Sequence, residues 1–165
     1  MGLGGNVQYV AAVRLAGDGE EGDVILSAVL GKEDAMECET RLKALVRAVG
    51  THQKVTVVDR SRLFSSHPAR AIHCEVRAGE RILYVLYTTV KFDQARAFRI
   101  VREVYRLLEA LYGAQLAVVK RTELEGDEEL MQELPEIVRR CERDELEELK
   151  SEVDEVKEVM QSNLE

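Results

Sequence analysis

The sequence predicts an α+β domain, in which helices cover the faces of a five-stranded sheet, followed by a C-terminal helix that forms a coiled coil. Three observations predict this fold class. Apolar segments follow in the order strand, strand, helix, three strands, helix. The apolar fraction of 45% is ordinary for a globular protein. A seven-residue apolar repeat then occupies the end of the chain, and 165 residues suit one compact domain with an appendage.

The first half of the domain combines a hairpin, a helix and a strand. Val7 to Leu15 and Asp23 to Leu30 are rich in Val, Ile and Ala, and a Gly-rich turn separates them. From Lys32 to Val49, apolar residues recur at three- and four-residue steps, and Gly50 follows where a helix stop belongs. Val55 to Val58 is a short β-branched strand.

A second hairpin and a long amphipathic helix follow. Ala71 to Val76 and Arg81 to Thr89 flank a short turn, and the second strand is almost continuously apolar, as is typical of a central strand. The helix predicted from Asp93 to Tyr112 has one broad apolar face. Its opposite face carries Arg96, Arg99, Arg102, Glu103, Arg106 and Glu109. We interpret this arginine stripe as solvated, with contact to anionic lipid or an acidic partner as the alternative.

The segment from Gly126 to Cys141 has a weaker amphipathic pattern that Pro135 interrupts. Because proline removes a backbone donor and clashes with the preceding turn, we expect a helix that starts or kinks there. The predicted organisation is a flexible leader over 1–6, a domain core over 7–125, a last helix and linker over 126–142, and a coiled-coil segment over 143–165.

Composition excludes several classes of function. The net charge of −8 argues against a nucleic-acid partner, since phosphate binding requires clustered Lys and Arg. The cysteines Cys38, Cys74 and Cys141 are odd in number and widely spaced, so they indicate neither a disulfide framework nor a zinc site, and they fit a reducing compartment. No stretch of the sequence is apolar enough to span a bilayer.

Catalytic and metal-binding patterns are also missing from the sequence. His52, His67 and His73 do not lie one helical turn from another ligand. His73 and Cys74 are adjacent in a predicted strand and so point to opposite faces, which prevents a nucleophile–base pair. Ser65 and Ser66 lack the glycines of a hydrolase elbow. The sequence therefore predicts no enzyme activity, no cofactor and no metal.

The strongest functional pattern begins at Asp144, after which the chain has no Gly or Pro. Apolar and amide residues recur at alternating steps of three and four, which is the seam of a coiled coil. The seam residues are Leu146, Leu149, Val153, Val156, Met160 and Asn163. Such a stripe is narrower than the face that a globular domain usually buries, so it favours a partner helix over an ordinary charged helix packed on its own domain.

The run Val153-Asp154-Glu155-Val156-Lys157-Glu158-Val159-Met160-Gln161-Ser162-Asn163 resembles the opening of the R-SNARE motif in synaptobrevin-like proteins. The preceding order of strands and helices is similar to the longin domain, a profilin-like fold with a five-stranded antiparallel sheet, and Phe92, Ala97 and Phe98 extend the match. The resemblance implies a longin R-SNARE truncated within its motif. The central arginine and the membrane attachment, a transmembrane helix or a lipidated end, would then lie beyond Glu165.

The resemblance also implies partners and a location. The seam would assemble with other SNARE helices into a four-helix bundle that brings membranes together. The location would be the cytosolic face of endomembranes such as ER, Golgi, endosomal or vacuolar vesicles. The longin domain would bind sorting or coat proteins, or fold back on the seam as an intramolecular clamp. The groove for either partner would be formed by Leu42, Leu45, Val46, Val49, Val55 and Val57. The alternative is a non-fusogenic trafficking adaptor or GTPase-regulating subunit, in which the C-terminal helix packs on another subunit.

Overall fold

A computed structural model describes residues 6–16, 22–49, 53–60, 69–77, 79, 81–143 and 160–164, the last range as backbone. Its centre is one sheet with the strand order β2-β1-β5-β4-β3-β6. The strands are β1 (Val7–Leu15), β2 (Gly22–Val29), β3 (Lys54–Asp59), β4 (Arg70–Arg77), β5 (Ile82–Thr89) and β6 (Met160–Leu164). The first five pair antiparallel, whereas β6 pairs in parallel with β3.

The helices are α1 (Ala35–Val49), α2 (Gln94–Tyr112), α3 (Arg121–Glu125) and α4 (Glu128–Arg143), with a 3-10 turn at Gly113–Ala117. Local chemistry sets the ends of α2. The Asp93 side chain accepts a hydrogen bond from the backbone N–H of Arg96 at 2.9 Å, which satisfies an orphan donor of the first turn. Gly113 ends the helix at φ 55°, a conformation that favours glycine.

The sheet separates two hydrophobic cores. On one face, α1 packs over alternate residues of the strands, and on the other face α2, α3 and α4 form a second layer. Strand β5 serves both cores, because Leu83, Val85 and Tyr87 point toward α1 while Tyr84 and Leu86 point toward α2. The continuous apolar character of this strand follows from burial on both of its faces.

The structure confirms the α+β class and the five-stranded antiparallel sheet. Strand β1 has the predicted bounds, and the other strands and helices predicted up to Tyr112 differ from the observed ones by at most three residues at their ends. Asn6, placed in the leader by sequence, accepts a hydrogen bond from the backbone N–H of Thr89 at 2.9 Å and so belongs to the fold. Of the predicted leader, residues 1–5 lie outside the described residues.

Two expectations about the last third of the chain change. Helix α4 begins at Glu128 and contains Pro135, so of the two predicted alternatives a start at the proline is excluded, while a kink there stays a prediction. Its buried residues join the core under α2. The expected C-terminal coiled coil is not confirmed, since residues 144–159 lie outside the described residues and Met160–Leu164 form a strand.

Truncation of Ile100, fully buried in the core between α2 and the sheet, tests this packing. We expect Ile100→Ala to lower the free energy of unfolding by about 2–5 kcal/mol, because it removes buried methyl groups and leaves a cavity. Leu111→Ala, in the same helix but 39% exposed, should cost less than about 1 kcal/mol. Urea denaturation measures both, and equal losses would contradict the assigned faces of α2.

Candidate functional site

Strand β3 ends the antiparallel part of the sheet, and its outer edge is paired with the C-terminal segment. Val55 lies opposite Met160, Val57 opposite Ser162 and Asp59 opposite Leu164 in the parallel register. Without this partner, β3 would present a row of unpaired backbone N–H and C=O groups. Backbone pairing at this edge is the physical reason that Met160 and Asn163, predicted as seam positions of a helix, lie in a strand. Leu146, Leu149, Val153 and Val156 lie outside the described residues.

The face of β3 toward α1 contains the residues of the predicted groove. Five of these side chains are at most 4% exposed and pack in one cluster between α1 and the sheet, namely Leu42, Leu45, Val46, Val55 and Val57. The side chain of Val49 lies outside the described residues. The backbone edge of β3 beside these residues is paired with β6. Binding of a partner by the groove residues stays a prediction.

At the end of β3, a cluster of buried charges joins the strand to α1. Asp59 accepts two hydrogen bonds from Arg41, at 2.8 Å from Nε and 3.0 Å from Nη2. Arg70, the cross-strand neighbour of Asp59, pairs with Glu37 on α1 and lies 4.8 Å from the ring centroid of Tyr87. All four charged residues are at most 7% exposed. Because a buried charge is tolerated only when it is paired, the cluster fixes α1 relative to the end of β3.

Cys38 lies beside this cluster and is fully buried. Burial raises the pKa of its thiol to about 12, and the nearby Arg70 opposes this rise only in part. Tyr87 also donates a hydrogen bond to the backbone carbonyl of Cys38 at 2.9 Å. The thiol therefore stays protonated at neutral pH and packs as a small apolar group.

The opposite face of β3 is tied to α2 through a buried polar chain. Thr88 Oγ1 donates to the carbonyl of Thr89, so it must accept from His73 Nε2, which lies 2.9 Å away. The other ring nitrogen, Nδ1, then accepts from Thr56 Oγ1 at 3.0 Å. Thr56 in turn accepts from Gln94 Nε2 at 2.8 Å. The neutral imidazole thus has both nitrogens satisfied, and burial lowers its pKa to about 3.

Two small apolar side chains on α1 flank the β3 edge. Ala44 and Ala48 are exposed, and a rotation of about 100° per residue places them on the same side of the helix as Arg41, which contacts β3. Met36, another apolar residue outside the main stripe of α1, is 77% exposed. It lies on the side of α1 toward β2, where a cleft of about 380 Å³ is lined by Ser27, Glu39 and Arg121 among others.

The buried charges at the end of β3 were not found by sequence reasoning. Arg41 and Glu37 interrupt the apolar face of α1, and Asp59 directly follows a β-branched run. A charge at a position that periodicity assigns to the core is the signal that could have found them. Two arginines and two carboxylates in such positions indicate mutual pairing.

Within the described residues, no group of His, Cys, Asp and Glu side chains has a geometry suited to a metal ion. In the same part of the chain, none of the helices combines the length and the apolar character that crossing a membrane requires.

No model of a known protein family matches this sequence, and no curated protein is significantly similar to it. The interpretation of the site therefore depends on the residues and geometry of this chain.

Removal of the Asp59 charge tests the buried cluster. Asp59→Asn leaves Arg41 buried without its counter-charge, and we expect a loss of about 3–5 kcal/mol in the free energy of unfolding. The matched control is Asp23→Asn in the exposed pair with Arg14, which should cost less than about 1 kcal/mol. Similar losses in the two variants, measured by urea denaturation, would show that the cluster does not hold α1.

The buried imidazole predicts a pH dependence of stability. The unfolded chain protonates His73 near pH 6.5, whereas the folded chain does so near pH 3, so the unfolded state binds more protons between these values. Stability should therefore fall as pH falls through this window, with a contribution from His73 of about 2 kcal/mol between pH 7 and pH 5. His73→Gln should have a flatter profile, and parallel profiles of the two proteins would exclude this origin.

Proposed function

We propose that the chain is an R-SNARE of vesicle trafficking whose α+β domain restrains the start of its own fusion helix. The observation that carries the proposal is the pairing of β6 with β3. Met160 to Asn163, which resemble the end of the R-SNARE opening run, are the residues held on the sheet. A segment cannot be a strand in this sheet and a helix in a four-helix bundle at the same time. Assembly with partner helices therefore requires release of β6.

The free energies of strand pairing and of burial in a helix bundle indicate that this restraint slows assembly without preventing it. A net contribution of about 0.5–1.5 kcal/mol for each backbone hydrogen bond gives the short strand a total of a few kcal/mol. Burial of a Leu, Val or Met side chain in a bundle layer contributes about 1.5–3 kcal/mol. A few seam layers together thus exceed the strand pairing. The domain then acts as a weak clamp on the cytosolic side of the membranes that the protein joins.

Ala44 and Ala48 support a second role for the same edge. Small exposed apolar side chains on α1 leave space for a partner segment to lie beside β3. A sorting or coat protein that adds a strand at this edge would compete with β6 by strand addition. The domain would then recognise a partner only when the tail has been released.

Charge substitution in the seam tests the SNARE assignment. In the full-length protein, Val156→Asp should abolish co-elution with a mixture of Qa-, Qb- and Qc-SNARE helices and the gain of helical circular dichroism on mixing, because an unpaired carboxylate in a bundle layer is costly. Glu155→Ala is the matched control on the solvated face and should assemble normally. If wild type gains no helix with these partners, or the two variants fail equally, the proposal is wrong.

A reversible cross-link tests the restraint itself. Val58 and Asn163 are Cα partners in the β3–β6 register, so Val58→Cys combined with Asn163→Cys places two thiols within disulfide reach. The oxidised protein should assemble with the same helices at least about tenfold more slowly than the reduced protein, since strand and helix exclude each other. The control is Val58→Cys alone. Equal rates in the oxidised and reduced double variant would show that β6 does not restrain assembly.

A further inference from the structure

The cleft of about 380 Å³ beside Met36 lies between α1 and the outer side of β2. One wall is formed by residues of α1, namely Ala35, Met36, Glu39, Thr40 and Lys43, and the other by Ser27 of β2 and Arg121 of α3. Arg41, which joins α1 to β3, follows Glu39 by two residues and so lies about 200° around the helix from it. The cleft and the β3 edge are therefore on opposite sides of α1.

Arg121 fixes the two walls of the cleft to each other. Its Nη1 and Nη2 atoms each donate to the Glu39 carboxylate at 2.8 Å, and its Nε atom donates to Glu125 at 2.9 Å. The Glu125 carboxylate also accepts from the backbone N–H of Ser27 at 3.0 Å. Hydrogen bonds from Arg121 and Ser27 lower the pKa of the Glu39 carboxyl, so its pair with Arg121 is charged at neutral pH. The cleft therefore keeps its shape without a ligand, as a pre-organised binding site requires.

Lys43 gives one end of the cleft a positive charge that the domain itself does not neutralise. Its Nζ atom is 3.8 Å from Glu39, beyond hydrogen-bond distance, and its side chain is 67% exposed. Because Arg121 already binds both oxygens of Glu39, the lysine retains donors for another group. Arg47, exposed one turn further along α1, adds a second positive charge. This end of the cleft therefore attracts an anion, although the whole chain has a net charge of −8.

The other end of the cleft is apolar. Met36 is 77% exposed, and Ala35 beside it is exposed as well. The unbranched thioether side chain adapts to apolar groups of different shape, and its burial by a partner's side chain is favourable. Met36 and Lys43 are seven residues apart, which is about 10 Å along a helix. An extended peptide spans that distance in about three residues.

The openness and size of the cleft suit a short peptide. A small-molecule site buries most of the surface of its ligand, whereas the exposure of Met36 shows that the rim of this cleft is in contact with solvent. Seven residues line the cleft, far fewer than the roughly 20–30 that each side of a stable interface between folded proteins contributes. A small anion bound at Lys43 would leave Met36 uncovered.

We propose that this cleft binds an extended segment of a partner protein in which a carboxylate lies about three residues from a large apolar side chain. The carboxylate pairs with Lys43, and the apolar side chain covers Met36 and Ala35. Arg121 keeps its bonds to Glu39 during binding. Because the ion pair is exposed and the covered area is small, binding is weak and reversible. The site uses neither β6 nor the edge of β3, and it stands whether or not the chain is an R-SNARE.

Titration of the isotope-labelled full chain with the peptide acetyl-Ser-Glu-Ala-Ala-Leu-Ser-amide, followed by NMR, tests the site. We expect amide shifts at Met36, Thr40 and Lys43 that saturate with a dissociation constant of about 1 mM. Replacement of the peptide's Glu by Gln should weaken binding about twofold to fivefold, and so should Lys43→Ala. The two changes together should weaken binding no more than either alone, because both remove the same ion pair. Met36→Ala should weaken binding of both peptides about fivefold.

Two exposed residues away from the cleft supply matched controls. Lys91→Ala in the turn before α2 and Val118→Ala after the 3-10 turn should bind the peptide like wild type. The proposal is overturned if no shift appears at the cleft up to about 10 mM peptide, or if Lys43→Ala weakens the Glu and Gln peptides equally. Equal shifts with acetate or inorganic phosphate alone would also overturn it, since they would show a site for small anions. Thermal unfolding by circular dichroism verifies that each variant is folded.

Discussion

The hydrogen-bonding requirement of β3 is the constraint on which the rest of this structure depends. The strand is short and lies at the end of the antiparallel sheet, so one side of its backbone pairs with β4 and the other needs a partner. Met160–Leu164 supply that partner from the far end of the chain. Because the partner comes from the tail and not from the domain core, the same requirement can be met in solution by water or by another strand.

The buried charges fix the end of β3 against α1. Arg41 and Asp59 join α1 to the end of β3, while Arg70 and Glu37 join α1 to β4. Replacement of such a cluster by apolar residues is often neutral for stability. The cluster therefore fixes the position of α1 on the sheet more than it adds to the free energy of folding. On the other face, the chain from His73 through Thr56 to Gln94 fixes β3 beneath the start of α2. The strand is thus anchored on both faces, and its outer edge pairs with β6.

The sequence predicts most of the domain because its elements are long and periodic. The alternation in β1, the continuous apolar run of β5 and the broad apolar face of α2 each correspond to burial on one or two faces. Two features escaped prediction for physical reasons. Pro135 lies within α4, whose buried face contributes to the core and outweighs the weak local signal. For Met160–Leu164, side-chain periodicity predicts a helix. The strand forms because the segment pairs with the edge of β3, and that edge exists only in the tertiary structure.

The candidate site is harder to predict, because backbone atoms form it. The side chains that sequence assigned to a groove, such as Leu42 and Val57, are core residues, and their apolar pattern cannot distinguish a buried face from a binding face. What makes β3 available is the absence of a further antiparallel strand beside it in the described part of the chain. The periodicity of the side chains does not indicate which strand edge lacks a further antiparallel neighbour.

The two edges of the sheet differ in a way that directs the tail to β3. At the β2 edge, the backbone N–H of Ser27 donates to the Glu125 carboxylate at 3.0 Å, and α3 packs against this strand. Glu125 is held in turn by Arg121, which also pairs with Glu39 of α1 through two bonds of 2.8 Å. A strand added at β2 would have to displace this linked set of charged side chains. At β3, the corresponding backbone groups bind a short segment of the tail, so exchange there replaces one set of backbone hydrogen bonds with another. The β2 edge is thus occupied by linked charged side chains of the domain itself, whereas the β3 edge is occupied only by backbone pairing with β6.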